Sequence, residues 1–112
     1  MISTSSEHLR IPPDAVVYIK ADGNYSILTT VLGDHYTITR QLGQIEMQLG
    51  IVIGPDDGGF IRIGKSIIVN RDYIALINIP KQRLLLSDSR TFKYELSASK
   101  EALKSLKEFL EQ

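Results

Sequence analysis

The sequence predicts a mainly β domain with one short internal helix and one C-terminal helix. Three observations carry that expectation. Runs of four to seven β-branched, aromatic and aliphatic residues recur between residues 15 and 96. Each run is bounded by glycine, asparagine, aspartate, serine or proline, the residues that turns require. Apolar residues at helical spacing occur in two places, weakly at 41–49 and clearly at 97–112.

Taken in order, the first ten residues are small and polar and are expected to form a loose tail, leaving 11–112 as one domain. After Pro12-Pro13, the run 15–21 reads as a strand that ends at the turn signal Asp22-Gly23-Asn24. In 25–31, Tyr25, Ile27, Thr29 and Val31 alternate against Ser26, Leu28 and Thr30. Leu32-Gly33-Asp34 makes a second turn before a third strand at 35–40, so this half reads as an antiparallel meander. Leu42, Ile45, Met47 and Leu49 fit a short helix over 41–49, although Gly43 weakens it. A turn-rich loop follows over 51–59. Further strands are expected at 60–63, 66–70, 73–79, 83–87 and 91–96. At the end, Ala102, Leu103, Leu106, Phe109 and Leu110 make a helical stripe that Ser97 or Ser99 can cap.

Composition excludes several functions. With 112 residues there is room for one domain and no separate catalytic lobe. There is no cysteine, so disulfides and thiolate chemistry are absent, which is compatible with a cytoplasmic protein. The N-terminus lacks the basic-then-apolar pattern of a secretory signal, and no apolar run is long enough to span a membrane. His8 and His35 are the only histidines, and no metal-ligand spacing or catalytic triad involves them, so no metal, cofactor or enzymatic activity is expected. Net charge is zero, which by itself argues against a polyanion binder. Its distribution does not. Residues 60–83 carry Arg62, Lys65, Arg71, Lys81 and Arg83 against Asp72 alone, whereas 1–59 are acidic on balance.

The stretch from Gly59 to Ser66, G-FIRI-GKS, is a literal match to the G-x-x-x-x-G-K-[ST] phosphate loop. Its context contradicts that reading. Phe60, Ile61, Arg62 and Ile63 favour an extended strand, which cannot curl its amides around a phosphate. After Ser66 the residues Ile67, Ile68 and Val69 continue as strand, where a phosphate loop needs to open a helix. Gly64-Lys65 therefore reads as a bend between two strands.

Three separated motifs, taken together, resemble the LytTR DNA-binding domain of bacterial transcription regulators. Val17 to Tyr25, VYIKADGNY, is similar to the family's Y-I-x-A-x-G-N-Y signature. Phe60 to Asn70, FIRIGKSIIVN, is similar to F-x-R-x-H-R-S-x-x-V-N, and Tyr73-Ile74 follow it. Leu84 to Asp88, then Leu96 to Lys100 and the striped helix, form the third. Arg40 with Leu42 and Ile45 fits the family's R-x-x-L entry into its internal helix. The resemblance spans about residues 9–110.

The resemblance implies an elongated set of small antiparallel sheets, a LytTR-like β-sandwich, with two helices. It implies sequence-specific binding of double-stranded DNA at paired repeat sites, with loops between strands entering the major grooves. Two copies would meet on the DNA, downstream of a receiver domain or sensor kinase pathway. These 112 residues would be either a separated output domain of a response regulator or a stand-alone regulator. Carried over by position, the contacts fall at Asn24, Tyr25 and Ser26, at Lys65 and Ser66, and at Ser99 and Lys100. Arg40, Arg62 and Lys104 are candidates for phosphate contact, and Arg62 is alternatively a structural strand residue. Two positions depart from the family: Gly64 replaces its common histidine and Lys65 its usual arginine, and lysine lacks arginine's planar two-pronged donor. With the zero net charge, these departures leave a second reading, a β-rich protein-interaction module with a degenerate DNA-binding surface.

Overall fold

The computed structural model describes residues 2–3, 8–9, 11–45 and 59–111. Within them, strands β1 (Ile2–Ser3) and β2 (His8–Leu9) pair with each other antiparallel. The remaining strands are β3 (Val16–Asp22), β4 (Tyr25–Thr30), β5 (His35–Ile38), β6 (Phe60–Ile63), β7 (Ile67–Asn70), β8 (Ile74–Asn78), β9 (Arg83–Ser87) and β10 (Lys93–Ser97). They form two antiparallel sheets, one in the order β5-β4-β3-β7-β6 and one in the order β10-β9-β8. Residues 42–45 are helical, and the expected continuation to 49 lies outside the described residues, as do 51–58. The C-terminal helix α1 (Lys100–Leu110) closes the domain, which measures 41 × 28 × 28 Å. The fold is mainly β, with a short internal helix and a C-terminal helix, as the sequence predicts.

The five-stranded sheet is covered on both faces. On one, Val16, Ile19, Leu28, Ile38 and Ile68 pack with Leu42 and Ile45 of the helical turn. On the other, Val17, Ile63, Ile67 and Val69 meet Leu84, Leu86 and Leu96 of the three-stranded sheet and Leu103 and Leu106 of α1. β7 is an inner strand between β3 and β6, and all four of its residues are buried. A continuous apolar run such as Ile67-Ile68-Val69 is what a strand covered on two sides needs.

β3 serves both cores through an irregularity. Val16 pairs with Thr30, but Tyr18 pairs with Thr29, so the register slips at Val17. This bulge turns Val17 to the face opposite Ile19, although the two residues are two apart and would share a face on a regular strand.

Aromatic rings line the join between the sheets. Tyr18 and Tyr94 meet edge to face at 5.6 Å, and Phe92 contacts Tyr94 at 5.5 Å and Tyr73 at 5.0 Å. Tyr18, Tyr73 and Tyr94 are half-buried, whereas Tyr25 and Tyr36 are exposed. Tyr73 donates its hydroxyl proton to the Asp14 carbonyl. Burial, with Asp14, Asp72 and Asp88 nearby, raises its pKa above that of an ordinary tyrosine.

The turn between β9 and β10 is held by Asp88. Its carboxylate accepts from the backbone N–H groups of Arg90, Thr91 and Phe92 at 2.9, 2.6 and 3.2 Å. Those bonds hold its pKa well below the usual carboxylate range. A depressed carboxylate stabilises the fold above its unfolded-state pKa and loses that contribution as pH falls towards its folded value. Asp88→Ala is therefore expected to flatten the acid limb of a stability–pH curve below about pH 4, measured by urea melts across that range.

Candidate nucleic-acid interface

Two hairpin turns, a strand end and a helix start converge on one edge of the five-stranded sheet. The first turn is Gly23-Asn24, across which Asp22 pairs with Tyr25. Gly23 sits at φ +63°, a left-handed conformation natural to glycine. The second is Gly64-Lys65-Ser66, the three residues between the paired Ile63 and Ile67. Because β7 is antiparallel to β3, Ile67 lies opposite Lys20, and the Ala21 N–H donates to the Ser66 carbonyl at 2.8 Å. That bond sets the second turn beside the end of β3.

β5 reaches the same edge, since Ile38 pairs with Ser26 at the start of β4. Arg40 follows, and its carbonyl accepts the Ser26 hydroxyl at 2.7 Å. Helix α1 completes the edge. A Cβ placed on Gly64 would lie 3.9 Å from the Ala102 Cβ, so the first turn of the helix stands against the second hairpin. Gly64 itself takes φ +61°, where a side chain costs about 1–2 kcal/mol of backbone strain. Glycine at this position therefore avoids that strain and presents no side chain at the edge.

Each residue anticipated from the sequence has a definite place. Asn24, Lys65, Ser66, Ser99, Lys100 and Lys104 are exposed, and Tyr25 is 50% exposed. Ser99 caps α1, its hydroxyl accepting from the Ala102 N–H at 3.1 Å. The helix's positive end therefore opens on this edge. Lys100 and Lys104 follow one helical turn apart.

Two of these residues serve the scaffold instead, and a third is half-buried. Ser26 has no accessible surface, so its hydroxyl holds the Arg40 carbonyl and presents nothing to a ligand. Arg62 extends its Nη2 to the Lys65 carbonyl at 3.2 Å, bracing the turn that carries Lys65. Its Nη1 passes 3.9 Å from the Cβ position of Gly43, on the helical turn. Arg40 is half-buried, with its Nε enclosed and without a hydrogen-bond partner among the described residues. Ser26 shares its buried strand face with Leu28.

Sequence reading passed over Lys20 and the turn 79–82. Lys20 is exposed beside the second hairpin, opposite Ile67. The Ala98 N–H donates to the Gln82 carbonyl at 3.2 Å, which brings the exposed Lys81 and Gln82 alongside the start of α1. Only long-range pairing reveals either position. The remaining histidine, His35, opens β5 on the surface with its Nδ1 3.0 Å from the Thr29 hydroxyl. Among the described residues no group of histidines and acids has the arrangement to hold a metal.

The phosphate-loop pattern is disposed of by the same geometry. Gly64 to Ser66 is a hairpin turn between two strands, and the chain enters β7 after it, not a helix.

An antiparallel scaffold that gathers polar turns at one edge defines a domain that presents loops, with no recognition helix projecting from it among the described residues. The chain belongs to the LytTR family: the model described as the LytTr DNA-binding domain matches residues 6–111. The family is non-catalytic, and membership makes this a DNA-binding domain of the response-regulator output type. The fold is similar to a solved LytTr DNA-binding domain from Bacillus cereus, described as part of a methyl-accepting/DNA response regulator. The two share 21% identity with a TM-score of 0.65, over 96% of this chain and 92% of that one. No curated protein matches the chain. No helix among the described residues is long and apolar enough to cross a membrane.

Proposed function

We propose that this edge reads double-stranded DNA in a sequence-specific way, as the output of a bacterial transcription regulator working in the cytoplasm. One observation carries the reading. The turns at 23–24 and 64–66 and the start of α1 lie side by side at one edge, exposing Asn24, Lys65, Ser66 and Lys100 together. The hairpin tips enter the major groove. Lys65 donates to guanine O6 and N7, and Asn24 pairs with adenine or a phosphate. Lys100 and Lys104 neutralise phosphates beside the helix N-terminus, whose dipole attracts the same anions. Arg40 joins them through its outer guanidinium nitrogens. Ser26 and Arg62 hold the two turns in place. Two copies occupy paired repeat sites, and a receiver domain or sensor kinase pathway supplies the signal.

Lys65→Ala is expected to weaken site-specific binding by about 1–3 kcal/mol, while binding to random duplex stays nearly level. Fluorescence anisotropy on a selected site and on a scrambled duplex checks both halves of that statement. Equal loss on the two duplexes would make Lys65 a phosphate contact, and no loss would remove it from the interface. Affinity should also fall with rising salt, with a logarithmic slope close to the number of phosphates neutralised. A flat salt response, with a protein partner recovered in place of DNA, would support an interaction module instead. The zero net charge is the observation that favours that second reading.

A further inference from the structure

The outer face of the three-stranded sheet, remote from both cores, carries an apolar patch that none of the described residues covers. Leu76 is 55% exposed and lies across from the half-buried Leu85. Together they floor a depression of about 710 Å³ with Lys93 on its rim. Arg83 and Glu95 neutralise each other there at 2.9 Å, which leaves the exposed Lys81 and Lys93 as the positive charges around the leucines.

A complementary feature exists elsewhere on the same chain. The turn between β4 and β5 exposes Leu32 more than any other large apolar residue among those described, at 79%, with the exposed Asp34 two residues on. This turn is firm. The Thr30 N–H donates to the Asp34 carbonyl at 2.9 Å, and the Asp34 N–H donates to the Thr30 hydroxyl at 3.1 Å. The depression pairs an apolar floor with a cation, and the turn pairs an apolar tip with an anion.

The turn cannot fill the depression of its own chain. A Cβ on Gly33 would lie 3.7 Å from the Tyr94 hydroxyl, and Tyr94 is on the inner face of β10, opposite to Lys93. The turn does stand at the level of Lys93, one end of the depression. β4 runs from the proposed DNA edge at Tyr25 to the turn at its far end. β9 runs from Arg83, beside Ser97 and the start of α1, to Ser87, which pairs with Lys93. Lys93 and the Leu32–Asp34 turn therefore lie at the end away from the DNA edge, on different sides of the molecule. The depression runs back from Lys93 past the leucines towards Arg83 and Lys81.

We infer that the Leu32–Asp34 turn of one copy docks into the Leu76/Leu85/Lys93 depression of a second copy. The contact is heterologous, head to tail, and it leaves both DNA edges facing the same way. The common orientation rests on the DNA-binding reading above, while the docking itself does not.

Charge exchange in trans tests the contact. Sedimentation equilibrium of the free chain, run over a concentration series to its solubility limit, should show mass rising with concentration. D34K or K93E should each weaken that association by about tenfold or more through like-charge repulsion. An equimolar mixture of the two should regain it, because each variant's altered surface then meets an opposite charge. A wild-type chain that stays monomeric, variants that associate like wild type, or a mixture that fails to recover would each overturn the inference. Binding of each variant to a single DNA site should match wild type. A drop there comparable to that of Lys65→Ala would assign the face to DNA and overturn it as well. If association is complemented in the mixture but no variant or wild-type chain binds DNA, the contact stands and the DNA reading falls.

Discussion

Leu103→Ala is expected to lower the stability of the domain by about 2–5 kcal/mol, the largest loss from a single truncation considered for this protein. Leu103 has no accessible surface and sits where α1 meets both sheets, among Val17, Ile67, Leu84 and Leu96. Removing three carbons there loses the transfer energy of the side chain and leaves a cavity that two sheets and a helix cannot easily close. Urea unfolding followed by circular dichroism measures the loss. The midpoint should move while the slope stays constant, since the folded state keeps its extent. The effect should also reach the proposed DNA edge. Leu103 lies in the same turn of helix as Ala102, which stands against Gly64, so the helix start and the Lys65 turn are seated by the same packing. A loss of DNA affinity beyond the fraction unfolded is expected, and anisotropy at low temperature, where the variant is fully folded, separates the two contributions.

The second large effect is expected at Asn70. This side chain is 4% exposed, and its amide donates to the carbonyls of Val16 at 2.9 Å and Pro13 at 3.2 Å. Its Oδ1 accepts from the Asp72 N–H at 3.0 Å, capping the short turn Arg71–Tyr73. One residue thus joins β7, the entry to β3 and the approach to β8. Asn70→Ala leaves a buried carbonyl at Val16 without its donor and removes the cap, at a cost of about 2–3 kcal/mol. Asn70→Asp keeps the cap acceptor but sets a buried carboxylate against the two carbonyls, and should lose at least as much as Asn70→Ala. Thermal melts of the two variants against wild type check that order. If Asn70→Ala melts with wild type, the bonds at Val16 and Pro13 contribute nothing net.

These residues show which parts of the fold are legible in the chain and which are not. β6 and β9 fall where the apolar runs at 60–63 and 83–87 place them, since turn residues bound both. β5 stops at Ile38, two residues short of the expected 40, because the Arg40 carbonyl is taken by the Ser26 hydroxyl and not by a neighbouring strand. The division into two sheets could not be read. It depends on β3 pairing with β7 across more than forty residues, and no local pattern encodes that partner. The bulge at Val17 hides itself for the same reason, since it changes which face a residue takes without changing residue type.

Of the candidate site, the exposed tips were legible because their turn chemistry and charges are local. Ser26, Arg62 and Arg40 carry polar groups suited to DNA, yet the fold directs Ser26 and Arg62 to backbone carbonyls. Sequence gives the chemistry of a side chain but not the direction in which the sheet aims it.

The hairpin tip has a consequence for how such domains diversify. Gly64, Lys65 and Ser66 are all exposed, while Ile63 before them and Ile67 to Asn70 after them are all buried. Scaffold and tip thus answer to separate selective pressures: substitutions at 65 and 66 leave the folded state almost untouched, whereas their neighbours are nearly frozen. If the tip reads DNA as proposed, target preference can drift by exchanging one or two side chains at a time, with every intermediate still a folded protein.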